Sequence, residues 1–343
     1  MVKAICKELE IRNSYLGGDK IETIYFGGGT PSLLNEDDLR AIMKAVDSNF
    51  KVNNLAEVTL EANPEDIHED LLKLYHDLGI NRLSLGIQSF NDQYLKYLNR
   101  NHGASVAIEA IEKIQNSEIQ NFSIDLIFGI KPNDMDIWKN DLKQGIALSP
   151  PHISVYNLTI EEKTVFGNWA KKGRLKVVED DQSADQYKVA HELLQENGYV
   201  HYEISNYGQA GYLSQHNTSY WKNSKYLGVG PGAHSYDIES RQYNVSNNSL
   251  YLKGVDKDNV PFKKENLSLE DKVNERILTG LRTMWGCDVG DINKQYDFDL
   301  FHEKNQEITS YQNAGLMITV DQTIKLTLEG QLLADLISQE LMI

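Results

Sequence analysis

Apolar residues recur along this chain with two alternating periods. Over residues 82–88, Leu83, Leu85 and Ile87 alternate with Ser84, Gly86 and Gln88, the period of two expected of a half-buried strand. Residues 122–128 repeat the pattern, with Ile124, Leu126 and Phe128 opposite Ser123, Asp125 and Ile127. In 57–62, Val58 and Leu60 stand opposite Thr59 and Glu61. Further strands are expected at 21–27 and 153–158. Between them the period lengthens to that of a helix: Val2, Ile5, Cys6 and Leu9 share one face of 2–11. Other helices are expected after an Asn35 cap, over 68–78 with Gly79 as terminator, over 104–116 and near 136–148. Regular strand–helix alternation with short connections predicts an α/β fold built on a parallel sheet.

The strand faces choose between sheet types. A doubly wound sheet is covered by helices on both sides, so its strands read as apolar throughout. Here one face of each strand is apolar and the other is small or polar, which fits a curved sheet whose polar side holds a ligand. A closed eight-stranded barrel usually fills its lumen with Val, Ile and Leu, and these strands do not. The expectation is an open, incomplete (β/α)6-type barrel over 1–160. The chain opens on a helix inside a βα unit, so one more strand is expected ahead of it.

Further along, an intermediate segment is expected over 161–260, and residues 237–268, polar, Asn-rich and without periodicity, are read as a linker or long loop. Beyond it, an amphipathic helix over 269–284, an alternating stretch with Ile324, Leu326 and Leu328, and a helix over 329–341 predict a winged-helix-like domain at 261–343. The net charge of −16 over 343 residues argues against a nucleic-acid binder, which needs clustered Lys and Arg. It equally disfavours adhesion to an anionic leaflet. Two cysteines, Cys6 and Cys287, make no disulfide framework, and with no secretory signal the chain reads as cytoplasmic. Cys6 is expected to be a small buried residue.

Chemistry concentrates at strand ends. Gly27-Gly28-Gly29-Thr30-Pro31 follows the first strand, where successive glycines let a ligand approach the backbone. Alone, three glycines more often make a tight turn, and no Gly-Lys-Ser/Thr follows to make a phosphate cradle. Gly228-Val229-Gly230-Pro231-Gly232 makes a poor dinucleotide loop, since it carries a proline and lacks a clean preceding strand. Glu61, Gln88 and Asp125 lie at or near the ends of their strands, where parallel sheets bind ligands. A carboxylate such as Glu61 suits ribose hydroxyls, and Arg100 offers a fork for a carboxylate.

These segments resemble the radical-SAM coproporphyrinogen-dehydrogenase family. The resemblance rests on Gly27-Gly28-Gly29-Thr30-Pro31-Ser32, Leu60-Glu61-Ala62-Asn63-Pro64, Gly86-Ile87-Gln88-Ser89-Phe90, Leu98-Asn99-Arg100 and Ile124-Asp125-Leu126-Ile127-Phe128-Gly129, in the family's order and spacing. It implies S-adenosylmethionine contacts at Gly28, Gly29, Thr30, Glu61, Gln88, Arg100 and Asp125. The family also holds a 4Fe–4S cluster through a CxxxCxxC loop, which Cys6 and Cys287 cannot supply. The resemblance places that loop ahead of Met1.

Two groups within the family compete. One oxidatively decarboxylates coproporphyrinogen III; the HemW-type group binds heme and delivers it to acceptor proteins, membrane-associated ones among them. Gln215-His216-Asn217-Thr218-Ser219-Tyr220-Trp221 looks like the HNxxYW signature of the second. Tyr202-Glu203-Ile204-Ser205-Asn206-Tyr207 and Gly230-Pro231-Gly232-Ala233-His234-Ser235 resemble it as well. A histidine is a natural heme ligand and aromatic rings pack on porphyrins, so His216, Tyr220 and Trp221 are the heme candidates. Read without the motif, His216 caps a turn while Tyr220 and Trp221 fill a core.

Overall fold

The computed structural model describes residues 1–159 and 180–343. Residues 160–179 take in the end of the expected barrel segment and the start of the intermediate one, and lie outside the described residues. In chain order the first elements are α1 (Val2–Ile11), β1 (Ile21–Phe26), α2 (Glu36–Asn49), β2 (Val52–Ala62), α3 (Glu69–Asp77) and β3 (Arg82–Gln88). They are followed by α4 (Asp92–Tyr97), α5 (Ala104–Gln115), β4 (Asn121–Phe128), α6 (Met135–Ala147) and β5 (His152–Asn157). Next come α7 (Asp180–Glu196), β6 (Val200–Glu203), β7 (Asn206–Gly208) and α8 (Gln215–Trp221).

Helix starts follow the predicted punctuation. The Asn35 side chain accepts from the Asp38 N–H at 2.9 Å ahead of an acidic first turn, satisfying an orphan donor and complementing the helix dipole. Gly79, in the left-handed region at φ 81°, follows the helix-ending Leu78.

The chain forms two compact units, 1–24, 34–57 and 215–343 in one, and 25–33 and 58–214 in the other. The second unit carries most of a seven-stranded sheet of order β1-β2-β3-β4-β5-β7-β6, a curled half-barrel with β1 and β6 as its outermost strands among the described residues. Strands β2 to β5 pair in parallel, while β7 runs antiparallel to both β5 and β6. The apolar face packs on helices. In α6, a Cβ on Gly145 would lie 3.3 Å from Ile124 Cδ1 and 3.5 Å from Leu126 Cδ1, and Trp138 meets Phe128 with ring centroids 5.7 Å apart. The pleat then turns Ser123, Asp125 and Ile127 to the other side.

The first unit contains the remaining elements: β8 (His234–Tyr236), β9 (Ser240–Asn244), α9 (Asn248–Val255), β10 (Phe262–Asn266), α10 (Leu269–Leu281), β11 (Cys287–Asp288) and α11 (Val289–Tyr296). It ends with α12 (Leu300–Glu303), α13 (Asn305–Asn313), β12 (Met317–Val320), β13 (Thr323–Leu326), α14 (Leu328–Gln331) and α15 (Ala334–Leu341). The linker or long loop expected over 237–268 is corrected. These residues form β9, α9 and β10 in an antiparallel β8-β9-β10 sheet, with Tyr251, Val255 and Val260 buried against Ala4.

The inward residues of β9 are Ser240, Gln242 and Asn244, polar yet buried, so no apolar alternation marks the strand. Ser240 is satisfied by Asp237, and Gln242 and Asn244 by α1 and its capping residue Arg12. Glu8, fully buried, accepts from Asn244 Nδ2 at 2.7 Å, Tyr251 OH at 2.6 Å and the Gly230 N–H at 2.8 Å, and Arg12 reaches Gln242 Oε1 at 2.6 Å.

Ser268 and Asp271 form a capping box at the start of α10. Strands β11, β13 and β12 form an antiparallel sheet against which α10 packs closely enough that a Cβ on Gly280 would stand 2.7 Å from Cys287 Cα. The single helix expected over 329–341 is two, α14 and α15, because the chain turns at Leu332 and Leu333. Cys6 is half-buried rather than buried. Among the described residues no helix is long and apolar enough to cross a membrane.

Candidate functional site

Register places the polar strand residues in rows across the half-barrel. Glu61 on β2 pairs with Ser84 on β3, and Ser84 with Ser123 on β4. Two residues further along β4, Asp125 pairs with Ser154 on β5. Ser123 Oγ donates to Ser84 Oγ at 3.0 Å, and Ser84 Oγ to Asp125 Oδ2 at 3.3 Å. The other carboxylate oxygen, Oδ1, is buried without a hydrogen-bond partner. Burial raises the Asp125 carboxyl to about 6, Ser154 opposing the rise by hydrogen bonding and Glu61 adding to it.

Glu61 does more than end a strand. Its Oε1 accepts from Tyr25 OH at 2.8 Å and its Oε2 from the Gly28 N–H at 3.2 Å, so the carboxylate seats the glycine loop. Burial, then the charge of Glu61, holds the Tyr25 phenol far above its ordinary value. Gly28 and Gly29 sit at φ 74° and 87°, where side chains are rarely tolerated, with open space where Cβ atoms would be. Thr30 lends its carbonyl to the turn at Pro31–Leu33, accepting from the Leu33 N–H at 3.1 Å.

Arg100 donates to Asn63 Oδ1 at 2.8 Å and to the Gly86 carbonyl at 2.9 Å, while its Nε is buried without a partner. Gln88, at φ 69°, folds its amide back over the same Gly86, 2.8 Å from where a Cβ would stand. Orphaned Asp125 Oδ1 and Arg100 Nε, with two open glycines, offer an acceptor, a cationic donor and bare backbone on one unit. That donor set fits a zwitterionic nucleoside such as S-adenosylmethionine. A cluster is different: Cys6 and Cys287 are the chain's two cysteines, and Cys287 is buried with its thiol pushed up to about 12. Among the described residues no three His, Cys, Asp or Glu side chains gather as a metal site, so these residues do not fit a 4Fe–4S cluster.

The heme candidates lie in the other unit. Both carboxylate oxygens of buried Glu57 accept from the start of α8, from the Gln215 N–H at 3.0 Å and the His216 N–H at 2.9 Å. His216 Nδ1 lies 2.8 Å from Thr23 Oγ1. Burial depresses the imidazole to about 4, so the ring is neutral at physiological pH. Tyr220, one turn on, stands edge-on to it at 4.9 Å between centroids and meets Tyr226 at 4.7 Å. Tyr220 stays 41% exposed, leaving aromatic surface open to a partner. Trp221 lies about 100° further round the helix, with Arg282 over its ring at 5.7 Å. The structure thus joins His216 to Tyr220 and pairs Trp221 with the C-terminal region. Glu57, Thr23 and Tyr25 escaped the sequence reading because their partners, His216 and Glu61, lie far off in sequence and no local spacing links them.

Comparison with known proteins covers both ends of the chain. The Radical SAM superfamily model matches residues 10–143, and the HemN C-terminal domain model residues 267–333. The heme chaperone HemW of Lactococcus lactis is 34% identical over 312 residues, 91% of this chain and 82% of that protein. The heme chaperone HemW of Bacillus subtilis is 32% identical over 321 residues, 93% of this chain and 85% of its own length. The solved structure of Escherichia coli coproporphyrinogen III oxidase, HemN, described as a radical SAM enzyme, superposes with a TM-score of 0.85 over 99% of this chain and 82% of that one. At 22% identity that likeness is one of fold. Matches of this extent to the two HemW proteins show that the chain belongs to the radical-SAM family of coproporphyrinogen-III-oxidase-like proteins, among its HemW-type members.

Proposed function

We propose that this chain is a cytoplasmic heme-trafficking protein that binds heme through His216 and Tyr220, binds S-adenosylmethionine on the polar face of the half-barrel, and passes heme to acceptor proteins. The observation that carries the reading is the state of His216. A neutral imidazole, fixed at its backbone by Glu57 and standing edge-on to a part-exposed tyrosine, is what a porphyrin iron requires of a protein ligand. Heme chaperones among the relatives support the cargo.

For S-adenosylmethionine, Glu61 and Asp125 are proposed to face the ribose. Gly28, Gly29 and Thr30 would meet the methionine end, with Gln88 and Arg100 beside them. Together with a cluster the cofactor would supply radical chemistry, and these residues would bind and orient it. The domain reading proposed is a barrel to about residue 160, an intermediate segment to 260 and a winged-helix-like end with no nucleic-acid role.

Ferric hemin titrated into the chain and followed at the Soret band tests the heme assignment, with transfer to apomyoglobin as the delivery readout. Saturable one-to-one binding that His216→Ala weakens at least tenfold is the expected result. Binding by the variant equal to wild type overturns the assignment. Net decarboxylation of coproporphyrinogen would favour the enzyme reading.

A further inference from the structure

We infer that Thr23 is a positioning residue for heme capture: its hydroxyl oxygen accepts the Nδ1 proton of His216 and so holds the ring in the tautomer whose Nε2 lone pair bonds iron. The inference rests on the heme reading above and extends it to a residue outside the HNxxYW segment.

Thr23 lies in the middle of β1, and Glu57 on β2, its neighbour in the sheet. The two strands hold the histidine at different levels. Glu57 takes both leading amides of α8 at 3.0 and 2.9 Å, and Ser219 Oγ closes on the His216 carbonyl at 2.7 Å, so the backbone is fixed. Thr23 takes the ring itself at 2.8 Å. With Nδ1 held there, an iron bond has to form at Nε2, whatever that nitrogen touches beforehand.

A neutral imidazole carries one proton, and iron takes the nitrogen without it. In the heme-bound protein the proton is therefore on Nδ1, and Thr23 Oγ1 can only accept it. An acceptor at this place fixes ring orientation and makes the ligating nitrogen more basic, and loss of such partners typically weakens metal binding about 10–100-fold.

The test compares Thr23→Val, Thr23→Ser, His216→Ala and the Thr23→Val/His216→Ala double variant in hemin titrations. The Fe–His stretching band of the ferrous complexes is read by resonance Raman. Thr23→Val is expected to weaken hemin binding roughly tenfold and move the Fe–His band to lower frequency. Thr23→Ser should hold both near wild type, and Thr23→Val should add nothing once His216 is gone. Thr23→Ala repeats the measurement with a smaller apolar side chain, so a packing fault in one variant does not decide it.

If His216→Ala loses affinity while Thr23→Val and Thr23→Ala match wild type in affinity and band position, the inference is wrong and the heme reading stands. An equal loss from Thr23→Val with and without His216 also overturns it, because the hydroxyl then acts through the fold. Wild-type binding by His216→Ala removes the heme reading itself.

Discussion

Asp125 and His216 both carry environments that a strand or helix pattern does not reveal. Asp125 has its carboxyl raised from 3.8 to about 6 by burial. The folded protein therefore holds this proton more tightly than the unfolded chain, and between pH 4 and 6 stability falls as pH rises. The whole effect is on the order of 2–3 kcal/mol. Asp125→Asn removes the buried charge but keeps the shape. It is expected to melt higher than wild type at pH 7.5 and level with it near pH 4, while losing S-adenosylmethionine affinity; thermal melts across that range, with calorimetric titration, check both. The polar strand residues themselves were legible, since Glu61, Gln88 and Asp125 all stand on the face opposite the apolar positions. What they touch was not: Glu61 seats the glycine loop, and no local spacing couples residue 61 to residues 25 and 28.

At the level of elements, the pattern located β3, β4 and α5 within a residue because each has one clean apolar face. It failed over 237–268 for a definite reason. Strand β9 is held by hydrogen bonds to the Glu8 and Arg12 side chains of α1 and its neighbour, some 230 residues away in sequence, and not by apolar burial. A strand cemented this way looks like a loop. The cement is correspondingly brittle: removing Glu8 leaves Arg12, Asn244 and Tyr251 without their common acceptor in a dry site. Glu8→Ala should cost about 3–5 kcal/mol in urea unfolding, whereas Tyr251→Phe, which leaves the carboxylate its other donors, should cost about 1–2 kcal/mol. Equal losses from the two variants would show that Glu8 is not the hub.

For the whole molecule, charge and architecture point the same way. A winged-helix-like end invites comparison with DNA readers, but a chain of net charge −16 repels phosphate. No shift of a duplex oligonucleotide is expected at 50 mM salt with micromolar protein, and a shift there would contradict the proposed role. The half-barrel was foreseeable from strands with one polar face. The two compact units were not, because residues 1–24 and 34–57 gather with 215–343 rather than with their neighbours in sequence. Helix α8 takes its cap from Glu57 and its ring contact from Thr23, so the partners of the HNxxYW segment lie far upstream in sequence.

The bond from the Gly28 N–H to Glu61 sets a timescale as well as a shape. A loop already seated has no ordering step ahead of ligand entry, so association with S-adenosylmethionine should be a single phase whose rate rises linearly with concentration. Glu61→Gln weakens a charge-assisted bond and lets the loop wander. Stopped-flow mixing should then show a second phase that saturates with ligand, the rate of the loop finding its seat.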